Sequence, residues 1–166
     1  MEKETLFSEK QRFNQWWLWL MLSGMVATFL YGYFFAESSE DRTALGIGLI
    51  VIMAIALFLV SFRLETQLKR DGVYVRFPPI LLKWRYYPWE KIAKSYIREY
   101  KPILEYGGWG IRGLGKNRAL NISGNIGLQL EFTDGKKLLI GTNNREELEI
   151  ALLKLGHKPQ FPTHLS

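Results

Sequence analysis

The chain has 166 residues, a net charge of +6 and no cysteine, so disulfides, thiolate nucleophiles and cysteine metal sites are excluded. Its mean hydropathy of -0.07 would suit a soluble protein, but that figure averages a very apolar third with a polar remainder. Divided in this way, the length accommodates one membrane unit and one globular unit of ordinary domain size.

Residues 1–15 hold three Lys/Arg and three Asp/Glu and read as a cytoplasmic tail, a frayed or surface-lying helix leading into the next segment. From Trp16 to Phe35 run twenty residues with no ionisable side chain. At ~1.5 Å of helical rise per residue, that length spans a hydrocarbon layer of ~30 Å. Trp16, Trp17 and Trp19 at one end and Tyr31 and Tyr33 near the other suit headgroup depth, because their rings pair an apolar body with a polar tip. Residues 44–62 form a second uncharged span, and the loop 36–43 carries Glu37, Glu40 and Asp41 against Arg42. A cleavable signal peptide has a shorter apolar core of ~7–15 residues and small residues at its cleavage site. Here bulky aromatics precede Ala36 and a second span follows, which favours a retained two-helix hairpin over residues 16–62.

Residues 63–166 hold 18 Lys/Arg and 10 Asp/Glu. Basic residues near span ends stay on the cytoplasmic side, so the acidic loop is expected outside an inner membrane and both termini inside. Gly24, Thr28 and Gly32 recur on the first span, and Gly46, Gly48, Ala54 and Ala56 lie on the second. Small side chains permit close backbone approach in lipid, either between the two spans or in a homo-oligomer.

From Arg63 the period changes to two. Leu64, Thr66 and Leu68 alternate with Glu65, Gln67 and Lys69. After Asp71-Gly72, Val73, Val75 and Phe77 alternate with Tyr74 and Arg76, which predicts a β-hairpin. Pro78-Pro79 interrupts the ladder, and strands follow over 81–87 and 93–100, with a single helical turn from Pro88 to Ile92 between them. The glycine-rich stretch 101–116 gives little signal beyond a short strand at 109–112. Residues 118–122 and 126–133 are further strands, and Asp134-Gly135 turns the chain into 137–141. Asn143 or Asn144 then caps a helix whose apolar face is Leu148, Ala151, Leu152 and Leu155 and which Gly156 stops. The expected fold class is α+β: a transmembrane α-hairpin, then strands in antiparallel order forming a sandwich or barrel over 63–156, capped by the terminal helix. Residues 157–166 read as a flexible tail.

The order of elements, the 63–77 hairpin, the Pro88-Trp89-Glu90-Lys91-Ile92 turn, the Gly107-Gly108-Trp109-Gly110-Ile111-Arg112 stretch and the run from Gly127 to Thr142 resemble the bacterial pleckstrin-homology-like domains that follow membrane spans in small proteins. The resemblance covers roughly residues 64–155. It implies a PH-like fold and a role in binding lipid headgroups, peptides or proteins. The first loop, only Asp71-Gly72, lacks the basic signature of phosphoinositide binders.

Gly108, Gly110 and Gly113 fit the G-x-G-x-x-G spacing of dinucleotide sites, but that chemistry needs a helix amino-terminus directly afterwards, and Gly115-Lys116-Asn117 predicts none. The glycines read instead as turns and bulges. His157 and His164 are the only histidines; they sit in the tail, which leaves no Ser/His/Asp order and no metal-ligand spacing. Asn121-Ile122-Ser123 forms a glycosylation triplet within a strand. Glu99 and Glu105 read as solvated structural residues rather than an acid pair.

No catalytic group, metal or cofactor is therefore predicted, and neither a small-molecule substrate nor nucleic acid is the expected partner. Two surfaces are candidates for binding. Lys69, Arg70, Arg76, Lys83 and Arg85 form a basic patch suited to an anionic leaflet, and Trp109, Arg112, Lys116 and Arg118 border a glycine-rich loop. Open sheet edges offer a third option, strand addition by a partner. The expected role is a membrane-anchored adaptor for membrane lipids or a protein partner, with an accessory subunit of a membrane enzyme or transporter as the alternative.

Overall fold

The computed structural model describes residues 4–13, 16–113 and 115–156. The expected tail at 157–166, with both histidines, lies outside the described residues. The chain divides into two compact units, Phe13–Phe62 and Met1–Arg12 together with Arg63–Ser166.

The first unit is a pair of helices, α1 (Trp16–Phe35) and α2 (Ser39–Ser61). Both are long and apolar enough to cross a membrane. The second helix starts earlier than the expected loop allows. Ser38 caps it, its hydroxyl oxygen accepting the Asp41 amide at 3.0 Å, while Glu40 and Asp41 lie in the positively polarised first turn. The Arg42 guanidinium bonds back to the Ala36 carbonyl at 3.1 and 3.2 Å, which tightens the connection. Glycines let the helices approach: a Cβ on Gly48 would strike the Phe29 ring, and one on Gly32 would sit 3.2 Å from a Leu45 methyl. Gly24 faces open space. Of the described side chains in this pair only Ile52 is buried.

The second unit is built from two sheets. One has the order β1 (Thr5–Arg12), β2 (Arg63–Lys69), β3 (Gly72–Phe77), β4 (Leu81–Pro88), antiparallel throughout. The amino-terminal tail is thus a strand, not the expected helix. Its alternation buries Phe7 and Gln11 over β2, and the Gln11 amide donates to the Gly141 carbonyl at 2.7 Å. That bond ties the first sheet to the second, and the β1 ladder covers what would otherwise be an open edge of β2.

The β2–β3 turn is Arg70-Asp71, with Gly72 already in the ladder opposite Lys69, one residue earlier than the expected Asp71-Gly72 turn. Gly72 has no positive φ; glycine is required because a Cβ there would strike the Tyr87 carbonyl and lie 2.7 Å from the Tyr86 ring. The Pro78-Pro79 peptide is cis and leads into the turn before β4.

A single 3-10 turn, Trp89–Lys91, carries the chain into the other sheet. Its strands are β5 (Ile92–Glu99), β6 (Gly110–Arg112), β7 (Asn117–Asn121), β8 (Ile126–Phe132) and β9 (Lys137–Gly141), in the order β5-β8-β9-β7-β6. The antiparallel expectation fails at one pair, since β7 runs parallel to β9. Two successive reversals, β7 to β8 and β8 to β9, restore the direction of β7, and β9 then slots in beside it. Gly135, at φ 78, makes the second reversal.

Leu64, Leu68, Val73, Val75 and Phe77 of the first sheet and Leu128, Leu130, Leu138 and Ile140 of the second are buried. A Tyr87–Phe132 ring contact at 5.4 Å joins the two sheets. The terminal helix α4 (Arg145–Lys154), which follows a short α3 (Pro102–Tyr106) in chain order, packs beside β1 and buries Leu148, Ala151 and Leu152.

Candidate functional site

The face of the second sheet that turns away from the first carries a recess of about 440 Å³, lined by Tyr96, Arg98, Glu99, Tyr100, Lys101, Glu105 and Asn125. Strand alternation puts Tyr96 and Arg98 of β5 on this face, opposite Gln129 of β8. The glycine-rich stretch that follows supplies one wall through α3. Pro102 opens that helix where a missing amide costs least, and the Glu105 carboxylate reaches back to the Lys101 amide at 2.7 Å. Gly107, at φ 72, closes it. Tyr106 packs on a small core of Tyr100, Ala119 and Leu139, which fixes the helix to the sheet.

Arg98 is the hub. Its Nε donates to Gln129 Oε1 at 3.1 Å, and its Nη1 to the Glu99 carbonyl at 3.3 Å. Its Nη2 serves both Glu105 at 2.8 Å and the Tyr106 hydroxyl at 3.2 Å. Burial alone would lower the guanidinium pKa, and the hydrogen bond and charge of Glu105 more than offset it, so Arg98 is raised. In return the Arg98 hydrogen bond, against partial burial, holds the Glu105 carboxyl below its usual value.

Burial raises the phenols of Tyr96, Tyr100 and Tyr106, so all three are protonated donors at neutral pH. With four of its five N–H donors spent on the protein, the guanidinium positions the wall rather than offering a free fork to an anion. The groups left facing solvent are the side chains of Glu99, Lys101 and Asn125. Glu99 and Glu105 therefore border one recess, which the sequence did not indicate, but the second is committed to an ion pair. No group of three His, Cys, Asp or Glu able to hold a metal occurs among the described residues. The arrangement is one of hydrogen-bond donors and acceptors around a concave surface, suited to binding.

The glycine-rich loop leads into β6, at the edge of this sheet opposite β5. Trp109 donates its indole N–H to the Gly124 carbonyl at 3.0 Å, and Arg112 Nε donates to the Trp109 carbonyl at 2.8 Å. Asn121, fully buried, accepts the Gly110 amide at 2.9 Å and donates to the Tyr100 hydroxyl at 3.0 Å. The glycosylation triplet thus begins with an interior hydrogen-bonding residue. Lys116 is exposed in the following turn and Arg118 half-buried on β7, so the four loop candidates are spread along an edge. Strand β7, not a helix, follows the glycines.

The basic patch is divided by the first sheet. Arg76 grips Glu65 at 2.6 and 2.8 Å and lies 4.6 Å over the Trp84 ring. Lys69 sits 5.0 Å over Tyr74, and Arg70 pairs with Glu4 at 2.7 Å. Lys69 and Arg70 flank the β2–β3 turn, whereas Lys83 lies on β4 toward the opposite end of the sheet and Arg85, half-buried, stands at mid-strand opposite Val75. At that opposite end Arg12 faces Arg63, and the Arg63 amide donates to the Pro78 carbonyl at 3.0 Å. The β3–β4 turn beside them leaves Ile80 58% and Leu82 67% exposed. The sequence pattern gave these two residues no role. No protein-family model and no curated protein matches the chain.

Proposed function

We propose that this chain is an integral protein of the cell inner membrane, with α1 and α2 inserted as a hairpin and both termini in the cytoplasm. Its strand-rich unit, read as a pleckstrin-homology-like domain, serves as a non-enzymatic adaptor for a protein partner or for the inner leaflet. The observation that carries this reading is the bare apolar surface of the helix pair. Trp16 is 74%, Phe34 73%, Ile50 70% and Leu57 67% exposed, on helices with no charged side chain beyond the first turn of α2. Helices apolar on all sides are stable where the surrounding medium is itself apolar. The recess beside Arg98 supports the adaptor role, since it offers shape and hydrogen bonds without a nucleophile paired to a base.

Two measurements test the proposal. The full-length protein should stay in the membrane pellet through an alkaline carbonate wash; release into the supernatant would overturn the integral reading. Because the chain has no cysteine, Glu40→Cys and Lys136→Cys each place one thiol. A membrane-impermeant maleimide should label the first on intact cells and the second only after permeabilisation, and the reverse pattern would overturn the orientation. A large stoichiometric partner recovered in mild detergent would favour an accessory subunit over a free-standing adaptor.

A further inference from the structure

We infer that the turn between β3 and β4, with the first residues of β4, is a wedge for an anionic lipid surface: Ile80 and Leu82 enter the headgroup region, while Arg12 and Lys83 meet phosphates. The inference rests on the membrane reading above and deepens it by naming which end of the first sheet meets the leaflet. Three observations within the strand-rich unit lead to it. Ile80 and Leu82 are large, apolar and uncovered. Arg12 and Lys83, both exposed, form no ion pair among the described residues, so their charge is free to meet an anion. Of the sheet's carboxylates, Glu4 and Asp71 lie at the opposite end, beside the β2–β3 turn, and Glu65, which lies near this end, is taken up by Arg76 and Lys10.

Chain connectivity supplies the rest. Arg63 is the second residue after the last residue of α2, and its amide is bonded to Pro78, two residues before Ile80. Each step advances the chain by at most ~3.8 Å, so Ile80 stays within a few residues' reach of Arg63, the first residue of β2. An apolar tip flanked by cations matches the boundary between acyl chains and anionic headgroups. Lys69 and Arg70 sit a strand's length away, and the same argument removes them from the contact.

The test uses the full chain in vesicles of phosphatidylglycerol and phosphatidylethanolamine, with one environment-sensitive fluorophore at a time on Ile80→Cys, Leu82→Cys, Arg70→Cys or Met25→Cys. With a shallow acyl-chain quencher, labels at 80 and 82 should shift to the blue and lose about half of their emission, as expected for roughly 5–10 Å of insertion. The label at 70 should respond as it does in water. Met25, inside α1, reports on the hairpin itself. Quenching at 25 without quenching at 80 and 82 would overturn the wedge and leave the membrane reading standing; no quenching at 25 would overturn both. Protection of 80 and 82 only in the presence of another protein would mean that a protein covers the tip, and would also overturn the inference.

Discussion

Glu9 accepts a hydrogen bond from the Thr142 hydroxyl at 2.6 Å across 133 residues of sequence. The same carboxylate takes the Asn143 amide at 2.8 Å, so β1 is fastened to the junction between β9 and α4. Charge-assisted bonds of this kind contribute roughly 1.5–3 kcal/mol, and losing the carboxylate leaves two donors without it. Glu9→Ala is therefore expected to lower the stability of the strand-rich unit by about 2 kcal/mol. Denaturant unfolding of the full chain in detergent, followed by tryptophan fluorescence, checks this; an unchanged midpoint would mean that β1 is held by its ladder alone.

Gly72 and Gly135 are both turn-associated glycines, yet they are glycine for different reasons. At Gly72 the φ is ordinary and the space is missing, whereas at Gly135 nothing lies within 4 Å and φ is 78. Asn visits the left-handed region readily, so Gly135→Asn should be close to neutral. Gly72→Asn should cost ~2 kcal/mol or more, because the added atoms press on the backbone of β4. Comparing the two variants by thermal unfolding separates conformational need from close approach, and equal losses would refute the distinction.

What the sequence made legible is local. The bounds of α1, the β8–β9 turn and the last helix follow from periods and turn residues within a few positions. Strand β1 escaped because only Phe7 of its inward positions is apolar; Glu9 and Gln11 point the same way and find partners about 130 residues on. The parallel pairing of β7 with β9 has no local signal either. The charges mislead for a related reason. Arg76 and Lys83 look alike in sequence, but only Arg76 stands opposite a carboxylate, Glu65, in the register of β2 and β3. The recess joins Arg98 of β5 to Glu105 of α3, residues whose meeting depends on Tyr106 seating α3 on the sheet.

The acid response follows from three carboxylates held below their usual range, Glu105 by the Arg98 hydrogen bond, Glu131 by the Lys137 hydrogen bond and the fully exposed Asp134 by the Lys136 hydrogen bond. A depressed folded-state pKa means that the unfolded chain binds more protons near its own value of ~4.3. The stabilisation is thus present above that value and is lost as pH falls through the folded pKa, a window below about pH 4. Glu105→Gln and Glu131→Gln should each flatten the stability curve in that window and change its slope little between pH 6 and 8. A curve as steep as the parent's in both variants would assign the acid sensitivity to other groups.

In lipid, two helices gain nothing by shedding water from each other, so their contact depends on how closely the backbones approach. Gly48 lets the Phe29 ring lie on α2 where any side chain would collide with it, while Gly24, one of the small residues in the same sequence pattern, has nothing within 4 Å. Gly48→Leu should therefore part the helices at that level and cost about 1–3 kcal/mol of hairpin stability. Gly24→Leu, which only adds apolar surface toward the surrounding medium, should cost none. Helical unfolding of each variant in detergent titrated with sodium dodecyl sulfate gives the comparison. A larger loss at Gly24 than at Gly48 would move the close packing from the contact between α1 and α2 to a contact between copies of the chain, and that contact would then show as a change in oligomer mass for Gly24→Leu alone.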